Sequence, residues 1–201
     1  MPSESVEQLK QRIAKLEEEN RKWMRLAGMN RLTQLPNSLM LFQVVLPKEL
    51  NKRGDQALET ACIFLCPDGL GDINQQHGRV IGDKLLQHIS QFLKNQLEKG
   101  ELLFHCDGAN FALLVTGKGE GYAKRRATTI KNKFREQDFV VDEASIGRLS
   151  CSAGTAAIAG ERKDIKIAEA VDKLYHDLCD RLYQAKASGG NYVVGSPRHL
   201  S

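Results

Sequence analysis

The run Thr60 to Cys66, TACIFLC, has no polar side chain after its first residue. Seven residues rich in Ile, Phe and Leu read as a buried strand, and a strand with no wet face needs cover. The cover is present in the chain. A helix from about Val80 to Leu97 carries the stripe Ile81, Leu85, Leu86, Ile89, Phe92 and Leu93, and a last helix from about Asp164 to Ala187 carries Ile167, Val171, Leu174, Leu178, Leu182 and Ala185. At 201 residues and 41% hydrophobic, the chain can bury one sizeable core with an appendage to spare.

The rest of the order follows from breakers and periodicity. Asn37 can cap a helix through about Gly54, bent at Pro47. The strand 60–66 leads to a polar loop, DGLGDINQQHG. After the second helix, two apolar runs flank HCDGANF, where Asp107-Gly108 is a turn signal for a hairpin. A basic helix follows, then a strand over Leu149 to Ile158 whose Gly154 implies close packing or a bulge. Ser188-Gly189-Gly190 ends the last helix, and Asn191 to Val194 forms a final strand. The order α-β-α-β-β-α-β-α-β, with long amphipathic helices between strands, predicts an α/β (α+β) fold with a mixed central sheet flanked by helices.

The first thirty residues differ. Val6, Leu9, Ile13, Leu16, Asn20, Trp23 and Ala27 alternate at spacings of three and four, an a/d seam. Asn20 at an a position would select register and strand number, and Arg12 at g is spaced to pair with Glu17 of a parallel neighbour. The expectation is a short parallel coiled coil over 1–31 that makes a homodimer, a globular domain over 32–195 and a tail over 196–201. The alternative is a single amphipathic helix packed on its own domain.

Net charge is +4, and the segment Gly119–Glu136 supplies all of it, with six cationic residues against two acidic ones. No aromatic platform or groove-reading motif accompanies them, so a solvated helix face is expected and nucleic acid is not. The five cysteines show no metal-binding spacing, which predicts buried thiols in a reducing cytosol. No segment is long and apolar enough for a membrane span, and a cytoplasmic location is expected.

Four stretches together resemble the GGDEF domain of diguanylate cyclases, a palm-like nucleotidyl cyclase fold. Leu32-Thr33-Gln34-Leu35-Pro36-Asn37 resembles the family's opening LTGLPN. Asp68 through Asp83, DGLGDINQQHGRVIGD, is similar to its D-x-F-K-x-I-N-D-x-x-G-H-x-x-G-D. Asp107-Gly108-Ala109-Asn110-Phe111 stands in the place of G-G-D/E-E-F, and Leu182 to Asn191, LYQAKASGGN, resembles LYxAKxxGRN. Their order and spacing are kept from about Leu32 to Val194.

The resemblance implies two Mg²⁺ ions bridging a triphosphate, held by anionic oxygens. At the positions so implied this chain departs from the family. The strand-end metal carboxylate is Cys66, followed by Pro67, whose carbonyl survives. The third signature residue is Ala109, and the acid after it is Asn110. The loop lysine is Gly71 and the late arginine is Gly190, while Lys186 remains as a candidate phosphate ligand. Asn74 and Asp83 stand where the family binds guanine; read structurally, Asn74 holds its loop and Asp83 caps or charges a helix start. Glu98-Lys99-Gly100-Glu101 replaces the R-x-x-D of the inhibitory site, which therefore reads as lost, and its secondary arginine aligns with Thr129. Asp107 adds an acid that suits either a rearranged metal site with Asp68 or simply a tight turn.

These substitutions predict a catalytically inactive signalling module without metal or cofactor. It would act on an unidentified protein partner in cyclic-di-GMP-type signalling. Two alternatives are a non-catalytic sensor of guanine nucleotide, GTP or cyclic di-GMP, and a cyclase with a rearranged metal site. A further alternative is thiol chemistry built on Cys66 and Cys106, whose strands are expected to be neighbours.

Overall fold

The computed structural model describes residues 5–52, 58–142 and 144–196. Helix α1 (Val6–Ala27) opens with a capping box in which Ser5 and Gln8 satisfy each other's backbone N–H groups. It ends at Gly28. A π-helical segment, Met40–Val45, runs directly into α2 (Leu46–Asn51). Leu46 N–H reaches back five residues to the Leu41 carbonyl. Pro47 then sits in the first turn of α2, where its missing N–H costs least. The irregularity thus lies before the proline as a widened turn, and the expected end near Gly54 falls outside the described residues.

Strand β1 (Leu58–Pro67) is followed by α3 (Leu70–His77) and α4 (Arg79–Asn95). Strands β2 (Glu101–His105) and β3 (Phe111–Thr116) make the hairpin, and α5 (Glu120–Glu136) follows. A small hairpin of β4 (Asp138–Val141) and β5 (Ala144–Arg148) precedes β6 (Cys151–Gly160). Helix α6 (Ile167–Ala187) and β7 (Val193–Val194) complete the domain. The stretch expected as a polar loop is therefore largely helical: Gly69, at φ 75, turns the chain and Ile73 anchors α3 in the core. The β4–β5 pair adds an element absent from the expected order.

The main sheet runs β2-β3-β1-β6-β7, antiparallel throughout except for the parallel β6–β7 pair. It is mixed, as expected. β1 lies at its centre and divides the interior by its own alternation. Ala61, Ile63 and Leu65 join α4 and α5 in one core; Cys62, Phe64 and Cys66 join α2 and α6 in the other. That two-sided burial is what an apolar run such as TACIFLC requires.

Gly154 sets the approach of α6. A Cβ there would stand 2.6 Å from Leu182 N and 2.8 Å from the Leu178 carbonyl, so only glycine lets the helix backbone touch β6. The close-packing reading of this glycine holds.

Helix α1 is not packed on the domain. Val6, Ile13, Leu16 and Trp23 are each more than half exposed and Leu9 is 44% exposed, so the seam is not covered by the described residues of its own chain. Its joint is nevertheless built. The Asn37 amide donates to the Ala27 carbonyl at 2.6 Å, its N–H donates to Gly28 O at 2.8 Å, and its Oδ1 caps Met40 N–H at 3.2 Å.

Candidate functional site

The end of β1, the turn after β2, α3 with the loop before it, and the end of α6 with the loop after it enclose a cleft of about 500 Å³. Cys66, Asp68, Asn74, Ala109 and Lys186 all line it. The sheet order explains this convergence: β3 and β6 flank β1, so the signature turn and the loop after α6 arrive at the same edge.

Cys66 closes β1 and is buried. Burial pushes its thiol up; Lys186, which faces it, opposes that push, and the Asp68 charge adds to it. The thiol donates to its neighbour's carbonyl, Pro67 O, at 3.5 Å. A neutral thiol facing an ammonium does not suit a hard dication.

Asp68 is the carboxylate that remains beside it, and its oxygens are engaged. Ser150 Oγ donates to Oδ2 at 2.7 Å, Ser152 Oγ to Oδ1 at 2.8 Å and Asn191 N–H to Oδ2 at 2.9 Å. The side chain ties β1 to β6 and to the loop after α6. Gly190, at φ 76, completes the knot, since a Cβ there would lie 3.1 Å from the Asp68 carboxylate.

The signature turn is short and rigid. Asn110 N–H bonds to Asp107 O at 3.2 Å, Cys106 N–H to Asn110 O at 2.8 Å, and Gly108 takes φ 65. Ala109 offers only a methyl to the cleft. The turn is braced from below by His105, whose Nε2 lies 2.9 Å from the Gly108 carbonyl and whose Nδ1 lies 2.9 Å from Thr33 Oγ1. A carbonyl only accepts, so Nε2 carries the proton and Nδ1 accepts from the threonine hydroxyl. Burial favours this neutral ring by lowering its pKa, and the ring stacks on Phe111 at 4.3 Å.

Asn74 projects from α3 onto Gly82 of α4, with a buried Oδ1 that has no hydrogen-bond partner. Asp83 follows Gly82, is half-buried, and does not line the cleft. It sits beyond the first turn of α4, whose N-cap is Gly78, so the capping role considered for it is not taken.

The acids of the Glu98–Glu101 turn are engaged too. Arg126 grips Glu101 with Nε to Oε1 at 2.7 Å and Nη2 to Oε2 at 2.9 Å. Its Nε also lies 3.4 Å from Glu98 Oε1, and Tyr122 OH donates to Glu98 Oε2 at 2.8 Å. Arg126 is only 5% exposed, an exception to the expected solvated face, on which Lys124, Arg125, Lys133 and Arg135 are exposed. A buried acid at the start of β2 needs a cation, and α5 supplies it. Thr129 instead returns its hydroxyl to the Arg125 carbonyl.

The cysteines do not assemble. β3 lies between the strands that carry Cys66 and Cys106, so these two thiols are not strand neighbours. Burial raises Cys62, Cys151 and Cys106, the last to about 12, so all three stay protonated. Among the described residues no three His, Cys, Asp or Glu side chains converge as metal ligands. The donor set of the cleft does not fit a pair of magnesium ions.

Residues 27–192 match the family model described as diguanylate cyclase, GGDEF domain. The chain belongs to the GGDEF family. Its fold resembles the crystal structure of the coiled coil and GGDEF domain of DgcB from Caulobacter crescentus in complex with c-di-GMP. That likeness has TM-score 0.73 at 17% identity and covers 95% of this chain and 97% of that one. A diguanylate cyclase, SiaD of Pseudomonas aeruginosa, in complex with its activator SiaC, aligns with TM-score 0.71 at 22% identity over 94% of this GGDEF chain and 74% of that one. An uncharacterized membrane protein of Staphylococcus epidermidis is 23% identical over 150 residues, 74% of this chain and 41% of that protein. The chain thus spans about four-tenths of the length of such relatives. Among the described residues of this GGDEF chain, no helix is long and apolar enough to cross a membrane.

Proposed function

We propose that this GGDEF chain is catalytically silent and works as a protein-interaction module in cyclic-di-GMP-type signalling, dimerised through α1. One observation supports the reading: the cleft holds no set of carboxylates free to bind paired metal ions. Cys66 is a neutral thiol against Lys186, Ala109 has no donor, Asn110 carries no charge, and both Asp68 oxygens serve the fold. Phosphoryl transfer depends on cations that neutralise spreading charge, and those cations depend on carboxylates. The exposed α1 seam supports the dimer, and a solved relative with its activator bound supports a protein partner as a theme of such domains.

A second reading is favoured by Asn74. Its unpartnered Oδ1 and the nearby Lys186 suit a guanine nucleotide held without turnover. A thermal-shift series with GTP, GDP and cyclic di-GMP, each with and without Mg²⁺, separates the two. A ligand at about a hundred times its Kd stabilises by about 2.7 kcal/mol, hence a shift of roughly 5–10 °C for a chain of this size. The silent module predicts no shift with any of them. A metal-independent shift that disappears in Asn74→Ala would establish the sensor instead.

A further inference from the structure

Asp107, the acid at the first position of the signature turn, does not line the cleft described above but a neighbouring groove. This groove lies between the π-helical segment and α6. The wider part, about 430 Å³, has Leu39 and Phe42 on one wall and Val171, Asp172 and Tyr175 on the other. A second part of about 280 Å³ continues past Tyr175 toward Leu182 and Lys186, sharing Ser38, Asp107 and Tyr175 with the first.

The floor is aromatic: Tyr175 stands edge-on to Phe42 at 5.1 Å and to Phe64 at 6.2 Å, and 39% of it stays exposed. The Asp107 carboxylate is close enough to help raise the Tyr175 hydroxyl's pKa, after the hydrogen bond with Cys179, so acid and ring share the same space. Every ionisable side chain along the wider part except the tyrosine is a carboxylate, Asp107 or Asp172. The Asp172 side chain is 76% exposed, with His176 at 3.7 Å as a loose partner. A cationic group entering over Tyr175 would therefore meet two acids and an aromatic face. The wall on the far side is the widened turn, a feature found often at functional sites.

We propose that this groove is the docking site for a short basic-apolar segment of a partner protein, with an apolar or aromatic side chain on Phe42 and Tyr175 and a Lys or Arg between Asp107 and Asp172. The proposal rests on the reading of the chain as an interaction module. On this reading the acid at the first turn position serves the groove rather than the cleft.

The test is selection of a displayed library of random twelve-residue peptides on the full chain, followed by affinity measurements on the winners. The expected winners carry Lys or Arg within four positions of Phe, Trp, Tyr or Leu. Their affinity should fall by about threefold or more in Asp107→Asn/Asp172→Asn at low salt, since exposed charge pairs contribute modestly and are screened. Gln43→Lys, a surface change that adds a like charge to the wall, should weaken binding similarly without disturbing the fold. No enrichment, acidic winners, or affinities indifferent to these variants would overturn the proposal. A self-association that survives disruption of the α1 seam and is lost in Gln43→Lys would assign the groove to a second copy, and would overturn it too. None of these outcomes involves nucleotide, so failure here is distinct from failure of catalytic silence.

Discussion

At the scale of single residues, Asp68 and Glu101 are carboxylates held by the protein rather than offered to ions. Glu101 is the clearest case, because its partner Arg126 is buried with it. Removing one member of a buried pair leaves the other charged and unmatched, at a cost of about 3–5 kcal/mol. Arg126→Leu should therefore lower unfolding free energy by about that amount in urea, while Arg126→Leu combined with Glu101→Leu should recover most of it. His105 gives a pH signature. Burial holds its folded pKa below the ordinary 6.5, so as pH falls the unfolded chain binds the proton first. Its contribution is complete above about pH 6.5 and is lost as pH drops toward the folded value. Melting temperatures of His105→Gln, measured from about pH 7 to about pH 5, should decline less steeply than those of the parent.

At the scale of elements, what was legible in the sequence was whatever obeys a period. TACIFLC, the α4 and α6 stripes and the α1 seam each repeat an apolar spacing, and each became the expected element. Helix α3 did not announce itself, because eight residues with Leu70 and Ile73 as their only large apolar side chains carry too little pattern; its packing against α4 sustains it. The β4–β5 hairpin was readable in hindsight from Phe139 and Val141, which alternate inward, but four residues are a faint signal. The motifs single out Cys66, Asp68, Ala109 and Lys186, and all four line one cleft. They did not reveal that Asp68 is a structural knot or that Arg126 is buried, because both facts depend on partners distant in sequence. Gly154 ties the elements together: Gly154→Ala should push α6 from β6 and destabilise by about 1–3 kcal/mol or more, readable as a lower urea midpoint. The same substitution at Gly71, where a Cβ meets nothing within 4 Å, should do far less.

At the scale of the whole molecule, the GGDEF domain follows a helix whose apolar seam the described residues leave exposed. The five large seam residues, Val6, Leu9, Ile13, Leu16 and Trp23, leave a stripe that a second helix would cover. Sedimentation of the parent should show a dimer, and Ile13→Glu with Leu16→Glu should yield a monomer with an unchanged domain melting temperature. Dimerisation would bring two clefts near each other, which is what a cyclase needs; the account holds that proximity alone does not suffice without metal ligands. The decisive measurement is incubation of the purified protein with GTP and either Mg²⁺ or Mn²⁺, with the products separated by chromatography. Unchanged GTP is the predicted result, and cyclic di-GMP accumulating in proportion to protein would contradict it.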